Sequence, residues 1–137
     1  MKHLTVVFDT NILVSGLLYG GTPELAIQTA IKREMSIIAS APLLEEQSRI
    51  FSQKFSLPKK EIEALTKELS KRSIIVTPGS SLKVVSDEPD NRVLEAAVTG
   101  HCSFIVTGDK GLLELKTYKS IQILTPRQFL DQIQHNK

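Results

Sequence analysis

The sequence lacks most features of secreted, disulfide-stabilised and membrane-spanning proteins. Its 137 residues include one cysteine, Cys102, which excludes an internal disulfide framework and a multi-cysteine zinc site. The longest apolar runs, such as residues 12–14, are far shorter than the roughly 18 residues that a membrane-spanning helix requires. We therefore expect no membrane segment, and we expect an ordinary core of apolar side chains to supply the stability.

The amino terminus also lacks the basic and then apolar arrangement of a secretory signal. Residues 1–5 lead directly into a strand-like segment that contains Asp9, so we expect a cytoplasmic protein. Charge of one sign is not in excess either, because 17 Lys and Arg against 15 Asp and Glu give a net charge of +2. That value is too small to predict nucleic-acid binding by itself. A site for a polyanionic substrate must therefore depend on where the charges lie.

Segments rich in β-branched residues alternate with segments of helical spacing along the chain. The predicted strands are residues 4–8, 36–39, 73–76, 104–107 and 121–124. The predicted helices are residues 23–33, 42–51, 59–72, 89–100 and 126–133. Parallel strands joined by helical crossovers form a sheet that is covered on both faces. We predict a three-layer α/β/α fold with a central five-stranded parallel sheet, in one domain over residues 1–137, because domains commonly have about 100 to 150 residues.

Acidic residues follow the predicted strands, beyond their carboxyl ends, where open parallel sheets bind ligands. Asp9 follows the first strand and Asp109 follows the fourth, each within two residues of a hydroxyl residue. Asp87 and Asp90 lie at the start of the helix between the third and fourth strands. An alternative is that Asp87, Asp90 and Asp109 only cap helices. Asp9 fits that alternative less well, because an acid at the end of a buried strand is desolvated unless something neutralises it.

A fourth acid is expected from the helix that begins at Pro42, where Glu45 and Glu46 are both candidates. At about 100° per residue, Glu46 lies roughly 100° from the centre of the apolar face and Glu45 about 160° from it. The helical phase therefore favours Glu46. The alternative is that Glu46 is a surface residue near Arg49.

Four carboxylates at one edge of a sheet require a counterion. At about 5 Å and an effective dielectric constant of about 20, each pair repels by roughly 3 kcal/mol. Oxygen ligands without cysteine or paired histidine favour Mg²⁺ or Mn²⁺. Such an ion polarises a phosphodiester and lowers the pKa of bound water. The residues therefore indicate metal-assisted phosphodiester hydrolysis.

Two segments carry a family resemblance. They are residues 7–15, with the sequence VFDTNILVS, and residues 105–110, with the sequence IVTGDK. By these segments the chain resembles the PIN domain family of metal-dependent ribonucleases, which includes the VapC-type toxins of toxin–antitoxin modules. The resemblance extends from about Leu4 to Leu130. It implies a PIN-like fold and an endoribonuclease that cleaves single-stranded or structured RNA with Mg²⁺ or Mn²⁺ as cofactor.

The resemblance also implies roles for individual residues. The positions that match the metal-binding, catalytic acids of the family are Asp9, Glu46, Asp90 and Asp109. Asn11, Ser40 and Thr107 match the polar neighbours of such a site. Asp87 departs from the family pattern and either shares or replaces the role of Asp90. Glu45 beside Glu46 leaves a similar choice open.

Partners and substrate contacts follow from the same resemblance and from charge placement. Arg49, Arg92 and Lys110 are candidate substrate-binding residues because they lie close to the acids in the sequence, and each also fits a solvated helix charge. The family implies self-association as a homodimer and binding of a cognate antitoxin.

Other classes of protein also group acids at strand ends. A phosphoaspartyl phosphatase is expected to have a second acid two residues after its nucleophile, where this chain has Asn11. A receiver domain is expected to carry an acceptor aspartate near the middle strand, but the third predicted strand ends in Val76-Thr77-Pro78. The remaining alternative is a PIN-like module that binds nucleic acid or protein without catalysis, and such a module is expected to have lost one or more of the acids.

Overall fold

The structure, a computed structural model, describes residues 3–135, without the side chains of residues 55, 65, 66, 69 and 135. Within these residues the strands are β1 (Thr5–Phe8), β2 (Ser36–Ser40), β3 (Ile74–Val76), β4 (Phe104–Val106), β5 (Thr117–Tyr118) and β6 (Ile121–Leu124). The helices are α1 (Thr10–Tyr19), α2 (Gly21–Lys32), α3 (Ala41–Phe55), α4 (Lys59–Lys71), α5 (Glu88–Thr99), α6 (Lys110–Leu113) and α7 (Pro126–His135). None of the helices in this range is long and apolar enough to cross a bilayer.

The strands form one sheet in the order β3-β2-β1-β4-β6-β5. β1 pairs in parallel with β2 and β4, β2 pairs in parallel with β3, and β4 pairs in parallel with β6. Helices cover both faces of this sheet, so the predicted α/β/α fold with a mostly parallel sheet is confirmed. The strand count differs, because five parallel strands were predicted and the described residues form six, of which β5 is antiparallel to β6.

The additional strand, β5, has two residues and lies at the edge of the sheet. The turn between β5 and β6 contains Lys119 and Ser120, whose φ angles are 47° and 70°. A two-residue hairpin turn with both φ angles positive usually contains Asn or Gly. Lys119 and Ser120 therefore give no sequence signal for a hairpin, and a two-residue strand is too short to show apolar alternation.

Two buried cores lie on opposite faces of the central strand β1, because successive side chains of a strand point to opposite sides. On one face, the ring of Phe129 from α7 packs edge to face against Phe8 at 6.0 Å and against Phe104 at 5.6 Å between centroids. On the other face, Val7 belongs to the buried cluster that contains Leu94 of α5. Burying one such side chain stabilises the fold by about 1.5 to 3 kcal/mol. Packing on both faces therefore fixes the carboxyl end of β1.

The segment between β1 and β2 forms two helices, although a single helix from Pro23 was predicted. α1 starts directly after β1, and α2 follows a turn at Gly20 and Gly21, where φ is 72° and 75°. A Cβ atom on Gly16 would lie 2.8 Å from Ile27 Cδ1, so α1 and α2 pack closely at that glycine. α1 is apolar over most of its surface, so it lacks the one-sided spacing by which surface helices are predicted. α6, with four residues, was also not predicted.

The parallel arrangement brings the carboxyl ends of β1, β2 and β4 to one edge of the sheet. The register pairs Phe8 of β1 with Val106 of β4. The residues that follow this pair, Asp9 and Thr107, therefore lie side by side. α1, α3 and α6 begin at this edge, within four residues of the strand that precedes each of them.

Candidate functional site

Thr107 connects the acids that follow β1 and β4. Its Oγ1 donates a hydrogen bond to Asp9 Oδ2 at 2.7 Å and accepts one from the backbone N–H of Asp109 at 2.9 Å. The backbone N–H of Asp9 extends the sheet by donating to the Val106 carbonyl at 2.9 Å. Strand pairing and one buried hydroxyl therefore fix the positions of both acids.

Asp9 is a buried carboxylate, 6% exposed, at the start of α1. Burial raises the pKa of Asp9, and the negative charges of Asp109 and Glu46 raise it further. The hydrogen bond from the Thr107 hydroxyl and one from the Asn11 backbone lower the pKa and so oppose this effect. Asp9 is thus held among like charges, where a cation would favour its ionised form.

Asp109 caps α6 with one of its two carboxylate oxygens. Oδ1 accepts hydrogen bonds from the backbone N–H groups of Gly111 at 2.8 Å and Leu112 at 3.4 Å. The capping alternative therefore describes part of what Asp109 does. The capping bonds also orient the carboxylate toward the start of α5.

Asp87 and Asp90, at the start of α5, form a cluster with Asp109. One carboxylate oxygen from each of the three lies within 4.8 Å of the others. Asp87 is exposed and its side chain makes no capping bond to the described backbone. Asp90 is 4% exposed, and its Oδ2 is buried without a hydrogen-bond partner among the described residues. Capping does not account for either residue.

Burial and like charges together raise the pKa of Asp90 to about 8. Burial is the largest cause, followed by Asp109, whose carboxylate can accept a hydrogen bond from a protonated Asp90, and by the negative charges of Asp109, Asp9 and Asp87. Two carboxylates can share a hydrogen bond only when one of them carries a proton, so Asp109 favours the protonated form of Asp90. Three clustered oxygen donors with one unsatisfied buried atom fit a hard divalent cation.

A cleft of about 240 Å³ lies over these acids. Its lining residues are Asp9, Thr10, Asn11, Glu46, Arg49, Ile50, Gln53, Lys54, Asp87, Pro89, Asp90 and Asp109. Glu46 reaches the cleft from α3, with its side chain 16% exposed and Oε1 at 2.9 Å from Arg49 Nη2. Glu45 is exposed and is not one of the described residues that line the cleft, which agrees with the helical phase. The four predicted acids and Asp87 therefore share one cleft.

The remaining predicted residues lie at or beside this cleft in different ways. Ser40 is buried and caps α3, since its Oγ accepts a hydrogen bond from the Leu43 N–H at 3.4 Å. Arg92 and Lys110 are not among the described residues that line the cleft. Arg92 donates to Glu95 Oε2 at 3.0 Å instead. Residues two apart on a helix point to different sides, and Arg92 accordingly lies on another side of α5 from Asp90.

Sequence analysis missed Gln53 and Lys54, which line the cleft from α3. The signal was available, because Glu46, Arg49 and Gln53 have the three- and four-residue spacing of one helix face. Lys54 extends the same wall by one residue. The predicted helix ended at residue 51, three residues before Lys54, whereas α3 continues to Phe55.

Known proteins share both the sequence pattern and the fold. A sequence model described as PIN domain matches residues 5–111. Over 144 aligned residues the chain is 24% identical to an uncharacterized protein of Methanocaldococcus jannaschii, covering 96% of this chain and 92% of that protein. The crystal structure of VapBC2 from Rickettsia felis bound to a DNA fragment from their promoter matches with a TM-score of 0.63 and 14% identity, covering 88% of this chain and 97% of that chain. This structural match shows a shared fold.

The matched range begins with β1 and ends in α6, so it contains the acids at positions 9, 46, 90 and 109. It spans well over half of the chain. The chain therefore belongs to the PIN domain family.

Proposed function

We propose that this chain is a metal-dependent endoribonuclease that hydrolyses RNA phosphodiester bonds, as the toxin component of a toxin–antitoxin module. The proposal rests on one observation. Oδ2 of Asp90 is buried, has no described hydrogen-bond partner and is surrounded by the charges of other acids. An arrangement of this kind costs stability unless a cation compensates it. Membership of the PIN domain family supports nuclease activity.

The residues that would hold the cation are Asp9, Glu46, Asp90 and Asp109. Asp87 clusters with Asp90 and Asp109, so it can share or replace the role of Asp90. Every donor is a carboxylate oxygen, and this donor set favours Mg²⁺ or Mn²⁺ over softer metals. A bound ion of this kind would polarise the phosphodiester and lower the pKa of a water molecule to supply hydroxide.

The chain itself contributes positioning and charge. The Thr107 hydroxyl bond to Asp9 favours the ionised form of that carboxylate and fixes its direction. The same hydroxyl accepts from the Asp109 backbone, so acids from two strands keep a constant separation before any substrate arrives. Asn11, two residues after Asp9, also lines the cleft. Preorganised polar groups need no rearrangement when charge develops during the reaction.

The proposal also covers partners. We infer that a cognate antitoxin binds at the cleft and that the chain acts as a cytoplasmic, single-domain homodimer. The shared fold with VapBC2 from Rickettsia felis, which was solved with DNA from their promoter, supports an antitoxin partner. Membership of the PIN domain family also supports an antitoxin partner.

Incubation of the purified chain with RNA tests the activity directly. We expect cleavage with Mg²⁺ or Mn²⁺ and none with a chelator, because the acids that line the cleft would act through a bound cation. Cleavage that survives exhaustive chelation contradicts the metal mechanism. Binding of RNA without cleavage under any metal condition favours the non-catalytic module.

Four melting curves test the cation at Asp9, using wild type and Asp9→Asn with and without Mn²⁺. Free Mn²⁺ at about 100 times its Kd should stabilise the wild type by about 2.7 kcal/mol and the variant much less. Without metal the variant should melt at the same or a higher temperature, because it removes one charge from a repelling group. A strongly destabilised variant, together with a wild type that does not respond to Mn²⁺, would assign Asp9 a structural role alone.

A further inference from the structure

The two walls of the cleft differ in charge. On one wall, Asp87 and Asp90 lie around the start of α5, with Pro89 between them. The cations among the described lining residues are Arg49 and Lys54, and both belong to α3. The acid Glu46 also lines the cleft from α3. A polyanion that enters the cleft therefore finds its cationic contacts on α3 and meets only acids at the start of α5.

Arg49 is held beside the acids by a contact that, within the described part of the chain, uses one nitrogen of its guanidinium group. Its Nη2 lies 2.9 Å from Glu46 Oε1, and its side chain is 55% exposed. A guanidinium group carries five N–H donors in a planar fork, which matches the oxygens of a phosphate. The contact with Glu46 thus orients Arg49 at the cleft and leaves donors free for a second anion.

The spacing along α3 allows two contacts with one extended chain. Arg49 and Lys54 are separated by five positions, or about 7.5 Å along a helix axis. Gln53, between them on the cleft wall, can both donate and accept hydrogen bonds. This distance is on the scale of one nucleotide in an extended strand, so the two cations can contact successive phosphates.

The cleft is small for a site that encloses its ligand. Its volume of about 240 Å³ lies below the about 300 to 1,000 Å³ of sites that enclose drug-sized ligands. A cleft below this range takes up a short part of an extended strand and does not enclose a whole ligand.

We infer that Arg49 and Lys54 bind the phosphates that flank the cleaved bond, so that single-stranded RNA lies along α3. The inference rests on the proposed function and adds the path of the RNA along α3 and Lys54 as a second phosphate contact beside Arg49. Both residues act in binding, so their loss raises KM more than it lowers kcat.

Charge-removing variants test this path. The double variant Arg49→Gln with Lys54→Gln should raise the KM for single-stranded RNA by about tenfold at low salt. Each lost phosphate contact should also reduce the slope of log affinity against log salt by about 0.7. Arg49→Lys should retain the salt slope, because it keeps the charge. Arg72→Gln is the matched control, since Arg72 is an exposed arginine at the C-cap of α4, 3.0 Å from Glu68, and is not among the described residues that line the cleft.

Binding measured apart from cleavage separates this inference from the proposed function. Fluorescence anisotropy in an Asp9→Asn background and Mg²⁺ buffer reports affinity for labelled single-stranded RNA, for the same sequence as a duplex, and for an acidic peptide. A double variant with unchanged affinity and salt slope overturns the inference, even if the wild type cleaves RNA. Equal affinity for duplex overturns the single-strand assignment, and stronger binding of the peptide overturns the nucleic-acid assignment. A wild type that binds as expected but never cleaves overturns the proposed function alone.

Discussion

Asp90 and Asn91 are adjacent on α5 and both buried, yet their surroundings are opposite. Asn91 is 0% exposed, and its Oδ1 accepts from the Val84 and Val85 N–H groups at 3.0 Å each. Its Nδ2 donates to the Val85 carbonyl at 2.9 Å and to Glu88 Oε1 at 3.1 Å. Asp90 is 4% exposed, and its Oδ2 has no partner within the described chain.

The difference separates a stabilising role from a functional one. A buried polar side chain with all its hydrogen bonds satisfied fixes the fold, and Asn91 ties the segment before α5 to the helix. Glu95 does the same through the Leu82 N–H at 2.7 Å and Arg92 at 3.0 Å. A buried acid that lies among like charges instead costs stability, which a bound cation can offset. Four measurements test this difference between Asp90 and Asn91.

The largest expected effect is on cleavage by Asp90→Asn. We expect kcat/KM to fall by about a thousandfold or more, because an amide neither offsets nor binds a hard cation as a carboxylate does. The free energy of unfolding in chelator should be unchanged or higher, since burial raises the pKa of Asp90 and the variant needs no proton. Steady-state cleavage and urea denaturation measure the two quantities.

The control for Asp90→Asn is Asp131→Asn, at an exposed position on α7. It should leave both cleavage and stability near the wild-type values. If Asp90→Asn loses stability and activity together, Asp90 is a structural residue like Asn91 and the comparison fails.

The next effect concerns the fourth acid, on α3. Glu46→Gln should lower kcat/KM by about a hundredfold, because the side chain lines the cleft with the other acids. Glu45→Gln, its matched control one residue earlier, should change kcat/KM by less than about twofold, since exposed charges contribute little. Parallel cleavage assays compare them. The opposite ranking would mean that α3 presents another face to the substrate.

The third prediction concerns stability instead of activity, at Asn91. Asn91→Ala should lower the free energy of unfolding by about 2 to 4 kcal/mol, because it leaves the N–H groups of Val84 and Val85 without their acceptor. Asn11→Ala is the control at an exposed asparagine and should change it by less than about 0.5 kcal/mol. Chemical denaturation measures both. Equal effects would show that the hydrogen bonds of Asn91 are not what stabilises this segment.

The smallest effect is expected at Cys102, where burial, and not a neighbouring charge, raises the pKa of the side chain. Burial raises the pKa of the Cys102 thiol to about 12, partly opposed by a hydrogen bond with Thr5. The thiol therefore stays protonated at ordinary pH, and only the thiolate is nucleophilic. The native protein should react slowly with a thiol reagent, with little acceleration between about pH 7 and 9, and rapidly once unfolded. Rapid native labelling would show that burial alone does not suppress ionisation.

Regularly patterned elements were predictable, and elements that depend on close packing or unusual turns were not. The apolar strands β1 and β4 and the acids that follow them were clear from local composition. α1 was missed because it is apolar nearly all round, and β5 was missed because Lys119 and Ser120 replace the usual turn residues. In the cleft, Gln53 and Lys54 were missed because the predicted helix ended at residue 51.

Periodicity and strand ends are local properties, so the sequence alone predicts the alternation of parallel strands with crossover helices and places acids after those strands. It also favoured Glu46 over Glu45 through the helical phase. Only the tertiary structure decided which residues share the cleft. Arg49 and Arg92 looked equivalent beside their acids, but α3 turns Arg49 into the cleft while Arg92 pairs with Glu95. Contacts between distant elements depend on how helices rotate against the sheet, and the spacing of side chains along one element does not predict that rotation.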